Sequence, residues 1–61
     1  MTQRQSEVLY WVSEGKTAWE IAVILGISRR TVEEHIVLAC RKLNAVNRCQ
    51  VVAIAIRKGW I

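Results

Sequence analysis

A chain of 61 residues has room for one domain, and its small buried fraction leaves it marginally stable unless a partner adds to the core. The formal net charge of +4 favours an anionic partner without demanding one. Although 52% of the residues are hydrophobic, no apolar run approaches the roughly 20 residues of a membrane helix, and MTQRQSEV lacks a signal peptide's apolar core, so a cytoplasmic location is expected.

In chain order, Thr2 with Gln5 three positions on forms a capping box, in which a hydroxyl takes a free first-turn amide and the amide side chain reaches back. A first helix over about 3–14 follows, with Val8, Leu9, Trp11 and Val12 as its apolar side and Gly15 closing it. Trp11 reads as core and Tyr10 points elsewhere. Thr17 with Glu20 repeats the box, and Ala18, Ile21, Ala22 and Leu25 keep a spacing of three or four, which predicts a helix over 18–25 ended by a left-handed Gly26. Ser28 caps a third helix over 29–43, whose apolar stripe is Val32, Ile36, Ala39 and Leu43. A very short turn containing Gly between two helices is the helix-turn-helix signature.

Stepping about 100° per residue gathers Arg30, Glu34, Val37 and Arg41 opposite that stripe, with Glu33 and Leu38 on either side. Arg29 and Arg30 stand in the first turn, where the helix dipole opposes cations by about 0.3 kcal/mol each or more. Phosphate oxygens would reward them there. The plainer reading is a solvated charged face with Arg30 and Glu34 paired one turn apart. Lys16 and the Thr17 hydroxyl stand at the mouth of the second helix and suit a backbone phosphate, unless Lys16 is simply a turn lysine in water. Trp19 and Val23 lie away from Ile21 and Leu25. Either they meet a protein partner or they pack beneath the last helix.

Asn44 serves as a left-handed helix end, and Asn47 with Gln50 repeats the capping pattern before a fourth helix over 48–58, stopped by Gly59. Val51, Ile54 and Ala55 are expected in the core, whereas Cys49, Val52, Ala53 and Ile56 form a second apolar stripe. A chain this small cannot bury both, so the second stripe is expected to be a two-fold dimer interface, the alternative being incidental surface hydrophobicity. Cys40 and Cys49 are too far apart for a Cys-x-x-Cys pair and lack ligands for zinc even with His35. Both thiols are expected reduced and partly buried, with no metal or cofactor. His35 has no acid on its own face and the carboxylates are scattered, which argues against an enzyme.

These residues resemble the DNA-binding domain of the LuxR/FixJ family of bacterial transcription regulators. The matching elements are Thr2-x-Arg4, Glu7-Val8-Leu9, Gly15-Lys16-Thr17, Glu20-Ile21-Ala22, Leu25-x-Ile27-Ser28, Thr31-Val32 and His35. Lys42-Leu43, Asn47-Arg48-x-Gln50, Ala53 and Arg57-x-Gly59-x-Ile61 continue the pattern to the end of the chain. Trp19 resembles the acyl-homoserine-lactone quorum-sensing branch. The resemblance implies an all-α, four-helix domain that forms a homodimer through its last helix and sets two third helices into successive major grooves of a roughly palindromic double-stranded DNA site. It implies phosphate contacts for Lys16, Thr17, Thr31 and Lys42, and places Glu33, Glu34, Val37 and Arg41 at or near base edges. In quorum-type relatives the exposed part of the second helix is linked to RNA polymerase, which implies that contact for Trp19 and Val23.

Glu33-Glu34 departs from the neutral or basic residues that relatives often carry, and Trp60 replaces a commoner leucine with an expected packing role. His35, usual in the family, is expected to pack or to bond backbone. No sensing domain is recognisable, so a small-molecule signal would act only through a segment not in this sequence, and the chain is expected to be an excised domain or a naturally short regulator. A second reading is a sensor-less module that pairs with full-length relatives and inhibits them. A third, the promoter-recognising end of a sigma factor, is disfavoured by the fourth helix.

Overall fold

Four side-chain caps set where the helices begin in the computed structural model, which describes residues 2–61. Met1, counted in the expected 1–61 domain, lies outside the described residues. Helix α1 spans Gln3–Ser13, α2 Ala18–Leu25, α3 Arg29–Lys42 and α4 Arg48–Arg57, so α1, α3 and α4 stop one residue short of their expected ends. The Thr2/Gln5 and Thr17/Glu20 boxes are both complete. Ser28 Oγ accepts from the Thr31 amide at 3.0 Å. At α4 the expected box is only half made. Asn47 Oδ1 accepts from the Gln50 amide at 2.8 Å, but Gln50 Oε1 accepts from Val46 N–H at 2.7 Å instead of returning to Asn47.

The helices end by one device. Gly15 at φ +84° lets Lys16 N–H donate to Trp11 C=O at 3.1 Å, and Asn44 at φ +54° lets Ala45 N–H donate to Cys40 C=O at 2.8 Å. A left-handed residue followed by such a bond satisfies carbonyls the helix leaves open. Between α2 and α3 only Gly26, Ile27 and Ser28 intervene. Gly26, at φ +69°, makes the reversal at no steric cost.

Two core clusters share α1 and α3. Val8, Ala18, Ile21, Val32 and Ile36 form the first, flanked by Trp11, Val12, Ala22, Leu25 and Ile27. Leu9, Ala39, Val51 and Ala55 form the second, flanked by Leu43, Ala45, Val52 and Ile61. Cys40 borders both. α3 touches α1, α2 and α4, whereas α2 and α4 do not meet.

Several details differ from expectation. Val52 flanks the second cluster, while Ile54, expected in the core, is only half-buried. Ile61 packs on that cluster, whereas Trp60 is exposed, with the Lys58 ammonium 5.5 Å from its ring centre. Cys40 is half-buried and Cys49 exposed, both free thiols. A terminal helix that is apolar nearly all round carries little information about its own rotation, so tertiary packing decides which residues go in.

Candidate nucleic-acid interface

The inward stripe of α3 is sealed: Val32 and Ala39 are 0% exposed and Ile36 4%. This fixes the rotation of the helix and leaves the opposite ridge bare. Arg30, Glu34 and Arg41 are exposed, and Val37 is 47% exposed. An open trough of about 320 Å³ runs along this face, lined by Arg30, Glu33, Glu34, Val37, Leu38 and Arg41. The structure thus brings together the residues that helical spacing gathered. Lys16, Thr17, Arg29, Thr31 and Lys42 lie outside the trough.

The charges sort by cause. Arg41 and Lys42 stand in the last turn of α3, where the dipole favours cations without help from a ligand. Arg29 and Arg30 stand in the first turn, which holds no acid. Among the described residues no ion pair joins Arg30 to Glu34, so both stand on the exposed face without the local pairing considered for them. Instead Arg48 Nη2 lies 3.3 Å from Glu33 Oε2, across 15 positions of sequence. That bridge between α3 and α4 was not foreseen, because nothing local announces it.

At the start of α2, Thr17 Oγ1 accepts from the Glu20 amide at 3.2 Å and the Thr17 amide donates to Glu20 Oε1 at 2.9 Å. Thr17 thus caps the helix through both its hydroxyl oxygen and its amide. The Thr17 backbone N–H, as the main cause, then the Thr17 hydroxyl and the nearby Lys16 charge hold the Glu20 carboxyl below its ordinary value. Lys16 is exposed and pinned at this mouth by its bond to Trp11 C=O. Thr31 Oγ1 lies 2.8 Å from Ser28 Oγ, so its hydroxyl is already part of the α3 cap.

Trp19 and Val23 are 65% and 66% exposed. Because α2 and α4 do not meet, packing beneath the last helix is ruled out for them. On α4, Cys49 and Ile56 are exposed and Val52 and Ala53 half-buried. His35 is half-buried beside the α3 stripe, and its Nδ1 is buried without a hydrogen-bond partner, so the expected backbone bond is not made there. Among the described residues no group of three or more His, Cys, Asp and Glu side chains is arranged to hold a metal ion, and no helix is long and apolar enough to cross a membrane.

The family model for bacterial regulatory proteins of the luxR family matches residues 1–55. The chain belongs to this family. It is 58% identical over 57 residues to the transcriptional activator protein BjaR1 of Bradyrhizobium diazoefficiens, a match covering 93% of this chain and 24% of that protein. It is 52% identical over 61 residues to the HTH-type quorum sensing-dependent transcriptional regulator RpaR of Rhodopseudomonas palustris, covering 100% of the chain and 25% of the relative. Against the transcriptional activator protein LuxR of Aliivibrio fischeri it is 49% identical over 61 residues, or 100% and 24% of the two chains. The chain therefore spans about a quarter of the length of these curated relatives. It is a luxR-family helix-turn-helix DNA-binding domain.

The lowered Glu20 value has a consequence of definite sign. A carboxylate whose folded-state value is depressed adds stability that is fully present above its unfolded value and is lost as pH falls through the folded one. Acid should therefore loosen the start of α2 progressively, from the ordinary carboxylate value downward, the loss being complete once pH lies below the folded-state value. Amide exchange at Thr17 and Glu20, followed by NMR during acid titration, is expected to accelerate there, and the step should vanish in Glu20→Gln. No acceleration across that window in the parent, or the same step in Glu20→Gln, would contradict the assignment.

Proposed function

We propose that this luxR-family domain binds a roughly palindromic double-stranded DNA site as a homodimer, each α3 lying in a major groove. The single observation that carries this reading is the division of α3 into a sealed inner stripe and a bare outer ridge. A helix of 14 residues is about 21 Å long at 1.5 Å per residue, and a groove about 12 Å wide admits it. Lys16, Thr17, Arg29, Arg30, Thr31 and Lys42 hold phosphates, and these contacts position without reading sequence. Glu34, Val37 and Arg41 meet base edges: the carboxylate accepts from an amino group, the valine meets a thymine methyl, and the guanidinium donates to guanine. Glu33 borders them with its charge already engaged by Arg48.

The α4 stripe of Cys49, Val52, Ala53 and Ile56 supplies the two-fold contact. Ile56, at 55% exposure, is a large apolar side chain with nothing of its own chain over most of it, and a self-complementary helix face is how such a surface is covered in a symmetric dimer. Trp19 and Val23 remain available for a protein partner such as RNA polymerase. Residues 1–61 act as one cytoplasmic unit, and any small-molecule signal reaches it from a segment not in this sequence. The alternative of an inhibitory pairing module rested partly on the two adjacent acids of α3. With Glu33 neutralised within the chain, only Glu34 is left unpaired, and that support falls away.

Selection of bound duplexes from a random pool, followed by anisotropy titration, tests the reading positions. Arg30→Ala should weaken all sequences alike and flatten the dependence of log K on log salt by about 0.9. Glu34→Ala or Val37→Ala should instead change the preferred base at one position, worth about 1–3 kcal/mol of discrimination. An unchanged preferred site in both would show that these side chains do not read sequence. The dimer contact is tested separately by sedimentation on the selected duplex. The parent should occupy it as a pair, and Ile56→Glu should stay folded yet bind singly, whereas a parent found only as one copy per duplex would remove the α4 interface.

A further inference from the structure

Arg48 belongs neither to the ridge of α3 nor to the apolar stripe of α4. It occupies the first turn of α4, which contains no acid, and there the helix dipole disfavours a cation. Its ion-pair partner among the described residues is Glu33, at 3.3 Å, with both side chains nearly half exposed, 42% and 46%. A pair so exposed contributes little to folding, so stability alone does not account for a cation set against the dipole. Glu33, however, lines the trough on the face proposed to meet DNA, next to Glu34, which makes no ion pair among the described residues. Without a restraint, two adjacent carboxylates would stand where phosphates must approach.

We propose that Arg48 is a positioning residue for DNA binding: it holds the Glu33 carboxylate at the α4 border of the trough with its charge engaged, leaving Glu34 as the acid free to accept from a base. This rests on the reading of α3 as the groove helix. A guanidinium has five N–H donors in a fixed fork, so it can hold a carboxylate in one direction as a lone ammonium would not. When Arg48 is removed, the Glu33 side chain is released to swing along the trough. There it repels phosphates and offers a second acceptor for a cytosine or adenine amino group.

The test is a double-mutant cycle in DNA affinity with the parent, Glu33→Gln, Arg48→Gln and the double variant, on the duplex selected by the parent at low fixed salt. With Glu33 already held by Arg48 in the parent, Glu33→Gln should change affinity little there. In the Arg48→Gln background the same change should tighten binding about threefold, the order expected for lifting one carboxylate from beside a phosphate in a solvent-exposed groove. Pool selection with Arg48→Gln should also show a new preference for cytosine or adenine at a base bordering the one read by Glu34, and the double variant should lose it. Arg48→Lys, which keeps the charge but not the fork, should fall between parent and Arg48→Gln, and thermal unfolding shows whether each variant is folded.

Equal effects of Glu33→Gln in the two backgrounds would mean that net charge alone acts, and would overturn the proposal. So would weakening by Glu33→Gln in the parent with none in Arg48→Gln, the signature of a purely structural bridge. Arg30→Ala, measured alongside, separates this failure from a larger one. If Arg30→Ala binds as well as the parent, α3 is not the DNA face. If it weakens binding while the cycle shows no coupling, only the role of Arg48 is wrong.

Discussion

The rotation of α3 about its own axis is the constraint on which the other features rest. Val32, Ile36 and Ala39 are closed off against both core clusters at once, and burial of one such larger side chain is worth about 1.5–3 kcal/mol. A turn of the helix that exposed Val32 and Ile36 would cost a large part of the stability of a domain this size, of order 5 kcal/mol in total. No charge on the outer ridge competes with that, since exposed pairs contribute about 1 kcal/mol or less. The ridge is thus presented by what lies beneath it, and its composition is free to answer to a ligand.

That freedom explains why the polar pattern of α3 runs against local preference at one end and with it at the other. Arg41 and Lys42 suit the helix end they occupy, whereas Arg29 and Arg30 do not. The start of α2 is arranged on similar terms. Thr17 and Glu20 satisfy each other's amides, and Gly15 holds Lys16 in place through the bond to Trp11. In each place helix capping, which stabilises the fold, also fixes polar atoms at the surface that DNA is proposed to touch.

What the amino-acid order revealed, and what it hid, divides by range of interaction. The caps at Thr2, Thr17, Ser28 and Asn47 act over three residues, and the helix ends at Gly26 and Asn44 follow from one residue's conformational tolerance, so all were readable. The inward stripe of α3 was readable because its polar and apolar sides alternate cleanly. α4 lacks that contrast, which is why Val52 packs on the second cluster while Ile54 stays half-buried outside it, and why Ile61, not Trp60, completes that cluster. The Glu33–Arg48 bridge depends on how α3 crosses α4, information that neither helix carries by itself. Gln50 turning to Val46 is subtler, because two amides compete for one acceptor within a single turn.

The central claim, that burial of one side of α3 presents the other to a duplex, is tested most directly by mapping backbone amide shifts of the isotopically labelled chain as a short duplex is added. The account predicts the largest changes along Arg29 to Arg41 on the outer ridge and at Lys16 and Thr17, with the amides of Val32, Ile36 and Ala39 little moved. Changes confined to the Trp19 and Val23 side of α2 or to the outer face of α4, with the ridge silent, would contradict it.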